Sequence, residues 1–157
     1  MEFLYYTLIV IATFFFMEFT AWFAHKYIMH GFLWVLHKDH HQKEAGWFEK
    51  NDAFFLIFAI PSWLCIMLGM MNFNYYVVSI GVGIAVYGIA YFLVHEIFIH
   101  QRFKLFRNAD NSYLKAIRRA HKMHHKHLSK EHGESFGMLI VARKYYDQAK
   151  KNNSSQR

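Results

Sequence analysis

One cysteine and one proline are all that 157 residues contain of either, and no lysine or arginine occurs before Lys26 or between Asn51 and Gln101. Each scarcity excludes something. Cys65 alone supplies neither a disulfide nor a thiolate metal site, and inside an apolar run it reads as a small filler. Pro61 is expected to kink one helix, with neighbouring groups replacing the hydrogen bond it removes. Polar surface is also scarce: the chain is 55% hydrophobic and 20% aromatic. That is too little polar surface to cover its apolar runs as an ordinary soluble domain.

Three such runs are present, roughly residues 3–23, 53–71 and 75–94. Each has about the 20 residues that a helix needs to cross a hydrocarbon core. Met1-Glu2-Phe3 lacks the basic start of a cleaved leader, so the first run is expected to be a span. The expected fold is all-α: an integral membrane protein of three to four transmembrane helices with a histidine-rich helical cap on the cytoplasmic side. Residues 1–149 form one domain in this reading, and 150–157 a disordered polar tail.

All 18 basic residues fall in two places, between spans one and two (Lys26, Lys38, Lys43, Lys50) or after span three. The link Asn72-Phe73-Asn74 carries none. The positive-inside rule then makes the basic side cytoplasmic, with the N-terminus outside and the C-terminus inside the cell membrane. The net charge of +7 follows from topology and anionic lipid headgroups, with no need of a nucleic-acid partner.

What is abundant is histidine. Ten of twelve fall in a pattern written twice: His25-x4-His30 then His37-x2-His40-His41, and His95-x4-His100 then His121-x2-His124-His125. Neutral imidazole is the commonest nitrogen ligand for transition metals. All four groups lie at the basic ends of the spans, at one membrane face. The HxxHH elements put three imidazoles on one helix face, the second on a helix with cap candidates in 108–112 and apolar positions Leu114, Ile117 and Ala120. Residues five apart lie about 140° apart on a regular helix. The His-x4-His pairs therefore either serve two different places or sit where the helix loosens or ends. Two metals suit that better than one. Haem needs only one or two axial ligands and zinc hydrolysis about three, so an all-histidine set of ten fits iron and oxygen chemistry best, although ligand type alone does not choose the metal.

The motifs His25-Lys-Tyr-Ile-Met-His30-Gly, His37-Lys-Asp-His40-His41, His95-Glu-Ile-Phe-Ile-His100-Gln-Arg and His121-Lys-Met-His124-His125 resemble the bacterial beta-carotene 3-hydroxylases of the membrane fatty acid hydroxylase superfamily. The similarity runs from about Ala21 to Tyr145 and includes Glu134-Ser-Phe-Gly137 and Arg143-Lys-Tyr145. HxxHH alone is shared with desaturases, sterol oxidases and carotenoid ketolases; the double set is more specific. The resemblance implies a non-haem di-iron monooxygenase using O2 as co-substrate. It would hydroxylate C3 and C3′ of beta-ionone rings, taking beta-carotene through beta-cryptoxanthin to zeaxanthin. The iron ligands it implies are His25, His30, His37, His40, His41, His95, His100, His121, His124 and His125. The implied partners are a carotenoid within the bilayer, membrane lipids, and reduced ferredoxin or a similar electron donor. A fatty acid or sterol hydroxylase is the nearest alternative; a metal transporter, from a different class, would place its ligands near the bilayer midplane.

Around the ligands, Glu18 is expected to accept the second N–H of His25 and Glu96 that of His95, the carboxylate–histidine–metal arrangement. His127 and His132 are further candidates for such outer contacts. Phe14, Phe15, Phe16, Phe19, Trp22, Tyr87, Tyr91 and Phe92 are candidates to line a substrate channel, against the plainer reading of lipid-facing or packing aromatics. Gly81, Ala85 and Gly88 have the small-residue spacing of close helix approach. The apolar segment 136–142 is too short to span and is expected to cap the metal region or lie in the interface.

Overall fold

The computed structural model describes residues 1–42, 46, 48–106 and 111–154. Among these there is no strand, and the all-helical expectation holds. Helix α1 (Glu2–Phe23) continues into a π-helical stretch (Ala24–Phe32), then α2 (Trp34–His41). A 3₁₀ turn (Lys50–Asp52) leads into α3 (Ala53–Met71), and a tight turn joins it to α4 (Tyr75–Tyr91). A second π-helical stretch (Phe92–Ile99) follows, then α5 (Ser112–His124) and α6 (Arg143–Ser154).

Three continuous helical runs are long and apolar enough to cross a membrane: Glu2–Phe32, Lys50–Met71 and Tyr75–Ile99. The expected spans lie within them. Their outer surfaces make the membrane reading physical: Phe15, Phe16, Phe55, Trp63 and Ile89 are each more than half exposed. Apolar surface so continuous is incompatible with a water-soluble monomer.

Helix α4 packs against both α1 and α3. Gly81 makes room for α3: a Cβ there would come within 2.8 Å of the Ser62 carbonyl, whose own hydroxyl donates to the Gly81 carbonyl at 2.8 Å. Gly83 does the same for α1, where a Cβ would lie 2.6 Å from Cβ of Thr13. Gly88, expected from its spacing to mediate close approach, faces open space. The two contact faces of α4 are set by its two neighbours, so residues two apart serve different helices. Pro61 lies inside α3 without ending it.

Outside the spans, α5 packs on α6 through Ala116, Ala120, Tyr145 and Ala149. Asn111 caps α5, its side chain accepting from the Tyr113 N–H at 2.7 Å; the candidates at 108–110 and Lys43 lie outside the described residues. The tail expected from Lys150 is helical as far as Ser154. Tyr145 and Ala149 anchor that helix on α5, which extends order into a polar stretch that has no apolar pattern of its own. Residues 155–157 lie outside the described residues.

Candidate metal centre

The ten patterned histidines converge at the ends of the spans, and local helix geometry explains how. Both His-x4-His pairs lie on or directly beside the π-helical stretches, where hydrogen bonds run from residue i+5 back to i: the His100 N–H donates to the His95 carbonyl at 2.9 Å, and the Leu33 N–H to Ile28 at 3.0 Å. The wider turn brings positions five apart onto one face. His25 and His30 rings sit 5.3 Å apart and those of His95 and His100 4.5 Å apart. Each pair thus serves one place: of the two options left open by the spacing, the loosened helix is the one realised. The chain then turns at Gly31, whose backbone is non-helical (φ −101°, ψ −121°), and redirects α2.

The rings form two clusters, with ligand atoms in each within 4.8 Å of one another. Cluster one is His25, His30, His37, His41 and His124; cluster two is His40, His95, His100 and His121. His125 packs between them, its ring 4.5 Å from those of His41 and His121 and 4.7 Å from that of His40.

The hydrogen bonds of the outer ring nitrogens decide what the inner ones offer. His25 Nδ1 donates to the Phe136 carbonyl (3.0 Å), His30 to Lys130 (3.1 Å), His41 to His127 (3.0 Å) and His124 to Glu134 (2.9 Å). His37 Nδ1 donates to Asn51 Oδ1 (2.7 Å), His40 to Glu49 Oε2 (2.8 Å) and His95 to Glu96 Oε1 (2.6 Å). A carbonyl or carboxylate oxygen only accepts, so these bonds place the proton on Nδ1 and leave a lone pair on Nε2. The Nε2 atoms then face one another: His25 and His37 at 3.1 Å, His37 and His41 at 3.2 Å, His30 and His124 at 3.3 Å, His100 and His121 at 2.8 Å. In cluster one both members of each pair are thereby left as acceptors. The buried Nε2 atoms of His40 and His125 have no hydrogen-bond partner among the described residues.

Protonation is a poor remedy for that crowding. Burial drives the His37 imidazole down to about 3, His41 to about 4 and His124 to about 2, and neighbouring imidazoles push in the same direction. Burial likewise lowers His40, His121 and His125. Converging neutral lone pairs in a buried site fit a metal cation at each cluster.

The outer contacts differ from expectation in instructive ways. Glu96 meets His95 as expected and also pairs with Arg102 Nε at 2.9 Å. Glu18 has no bond to His25. Its Oε1 accepts from the N–H groups of Met138, Leu139 and Ile140, and its Oε2 from the Tyr87 hydroxyl. Seven helix positions put Glu18 on the side of α1 facing that loop, about two turns below His25. His127 contributes its backbone carbonyl and not its ring, and exposed His132 sits in the left-handed region (φ 64°). Asn51 and Glu49 were missed in the sequence, because isolated polar residues before a span carry no periodic signal. Arg102 ties that side together, reaching Asp52 at 2.9 Å and Glu49 at 3.6 Å as well as Glu96.

Phe136 caps cluster one, its ring 5.1 to 5.4 Å from those of His25, His30 and His124. The 136–142 segment thus meets cluster one through Phe136, while Ile140 is exposed. Of the aromatic candidates, Phe15, Phe16 and Phe19 face outward. Phe14 packs on buried Tyr87, and Tyr91 lies 4.8 Å from the His95 ring.

A fatty acid hydroxylase family model matches residues 10–142. The chain is 42% identical over 134 residues to a beta-carotene hydroxylase of Pantoea ananas, covering 85% of this chain and 76% of that one. It is 41% identical over 141 residues to a beta-carotene hydroxylase of Pseudescherichia vulneris, covering 90% and 79%. A chloroplastic beta-carotene 3-hydroxylase of Arabidopsis thaliana is 34% identical over 132 residues, 79% of this chain and 40% of the plant protein. No solved structure matches.

Proposed function

This chain belongs to the fatty acid hydroxylase family, and from that premise we propose that it is a di-iron monooxygenase acting on the beta-ionone rings of carotenoids. It hydroxylates C3 and then C3′, converting beta-carotene through beta-cryptoxanthin to zeaxanthin with O2 as co-substrate. The observation that carries the metal part of this reading is the set of Nε2 lone pairs facing one another at about 3 Å in a buried site. The named relatives, at 41 and 42% identity for the bacterial ones, carry the substrate class.

His25, His30, His37, His41 and His124 would hold one iron, and His40, His95, His100 and His121 the other, with His125 between the two. When bound, the irons supply the oxygen-activating redox chemistry that an unactivated ring methylene requires and that side chains lack. The protein's part is to bind, orient and shield. Outward hydrogen bonds from seven Nδ1 atoms hold the rings with Nε2 inward, which fixes tautomer and direction together. Phe136 closes cluster one with an apolar face that restricts water. The spans admit a hydrocarbon substrate laterally from lipid and present one ring carbon to the metal site, a matter of near-attack geometry.

The basic residues at the histidine-bearing ends favour a cytoplasmic site. There a soluble donor, reduced ferredoxin or similar, delivers electrons while the substrate stays in the bilayer. Expression in beta-carotene-producing cells with pigment chromatography tests the reading. New beta-cryptoxanthin and zeaxanthin are expected from the wild type and neither from His124→Ala. Unchanged pigments with well-expressed wild type would refute the substrate, and one metal ion or none per chain would refute the di-iron site.

A further inference from the structure

Glu18 is a carboxylate inside a membrane-spanning helix, where an acidic group is costly and demands partners. It has four. Oε1 accepts from three consecutive backbone N–H groups, those of Met138, Leu139 and Ile140 at 3.1, 2.8 and 3.0 Å, and Oε2 from the Tyr87 hydroxyl at 2.8 Å. Successive N–H groups converging on one oxygen form an anion-binding nest. The residue is buried and touches no histidine nitrogen, so the metal site described above does not account for it.

What Glu18 holds is the loop that supplies two outward acceptors of cluster one. The Glu134 carbonyl receives His124 Nδ1 at 2.9 Å and the Phe136 carbonyl receives His25 Nδ1 at 3.0 Å. Between those two carbonyls lies Ser135 at φ 64°, a left-handed conformation that a non-glycine residue keeps only when its surroundings impose it. Gly137 follows, so close to the next turn that a Cβ would meet the Ile140 carbonyl at 2.5 Å. The loop is thus held against its local preference, with its anchor on α1 and α4. Cluster two takes its outward acceptors elsewhere, from Glu49 and Glu96.

We propose that Glu18 is a positioning residue for cluster one alone, acting through the 134–140 loop and without contact to any ligand. The inference rests on the two-metal reading and predicts an asymmetry that general destabilisation does not produce. Losing the carboxylate frees the loop, lets the Glu134 and Phe136 carbonyls drift, and releases the tautomer and direction of His124 and His25. Metal affinity at cluster one should fall by about 10- to 100-fold, the usual effect of removing an outer hydrogen-bond partner. Affinity at cluster two should stay as in the wild type.

The test is a Co²⁺ titration of full-length, detergent-purified, metal-free protein, followed by absorption and by metal content. Wild type should take two ions per chain. Glu18→Gln, with helix content unchanged, should take one ion with wild-type affinity and the other 10- to 100-fold more weakly. The spectrum of its retained ion should match that of the ion left in His124→Ala, a direct cluster-one variant. Tyr87→Phe removes one of the four bonds and should shift the same ion in the same direction, by less. It carries the test if Glu18→Gln does not fold. Unchanged binding of both ions, or equal weakening of both in a folded variant, would overturn the inference. A wild type that takes fewer than two ions would instead overturn the two-metal reading on which it rests.

Discussion

His40 and His124 occupy the same position in the two copies of the HxxHH motif, and each delivers its imidazole to the cluster built by the other copy. His124 joins His25, His30, His37 and His41, while His40 joins His95, His100 and His121. The middle histidine of each motif thus crosses over, and the two sites are interlocked.

That exchange predicts crossed phenotypes. His124→Ala, although in the C-terminal copy, should empty the cluster made by the N-terminal histidines. His40→Ala should empty the other. Each variant should retain about one metal ion per chain and lose at least about 100-fold in hydroxylation, since a direct ligand matters no less than its outer partner. Loss of the ion from the motif's own copy would contradict the assignment. Metal analysis with spectroscopy of the retained ion separates the two outcomes.

Arg102 should matter through its geometry as well as its charge. It bridges Glu96 and Asp52 at 2.9 Å and reaches Glu49 at 3.6 Å, and two of those carboxylates orient His95 and His40. Arg102 is only 20% exposed and its three carboxylates 11 to 30%, so losing the charge altogether would leave them half-buried and unpaired. Arg102→Lys keeps the charge but loses the planar fork. It should weaken cluster two by about 10-fold or more while the melting temperature moves little. A competition titration against a chelator reads the change, and wild-type affinity would count against this role.

Acid should destabilise the metal-free protein in a defined window. His37 and His41 are held at about 3 and about 4, below their ordinary 6.5. The unfolded chain therefore takes up protons first, and stability is full above about 6.5 and lost as pH falls towards 4 and then 3. Melting temperatures in detergent should be flat from pH 8 to 7 and decline below about 6.5. A flat profile down to pH 4 would show that these imidazoles already titrate normally in the folded state.

The α1–α4 contact can be probed away from the histidine clusters. A Cβ at Gly83 would meet Thr13 at 2.6 Å and the Val10 carbonyl at 2.9 Å, so Gly83→Ala forces the helices apart. It should cost about 1–3 kcal/mol, the range for overpacking. Gly88→Ala, with nothing within 4 Å of its Cβ, should be close to neutral. Equal melting temperatures for the two variants would refute this packing.

How much of this was legible in the sequence depends on the kind of interaction. The spans were, because hydropathy summed over about 20 residues is a property of composition. So were the ten convergent histidines, whose spacing and placement at the basic ends survive without coordinates. The acceptors that orient them were mostly not. Four are backbone carbonyls, of Lys130, His127, Glu134 and Phe136, and a carbonyl has no residue type to read. Glu18 was expected to bond to His25, but its partners are the Tyr87 hydroxyl and three backbone N–H groups some 120 residues away in the chain.

By itself the sequence determined a membrane protein with ten imidazoles at one face, because hydropathy and side-chain chemistry are local properties. Only the tertiary structure decided which imidazole belongs to which cluster. Two π-helical stretches turn an i+5 spacing into a shared face, and the packing of α5 carries His124 across to the first motif's rings. Such choices depend on helix pitch and on contacts between distant segments, and no spacing in one dimension encodes them.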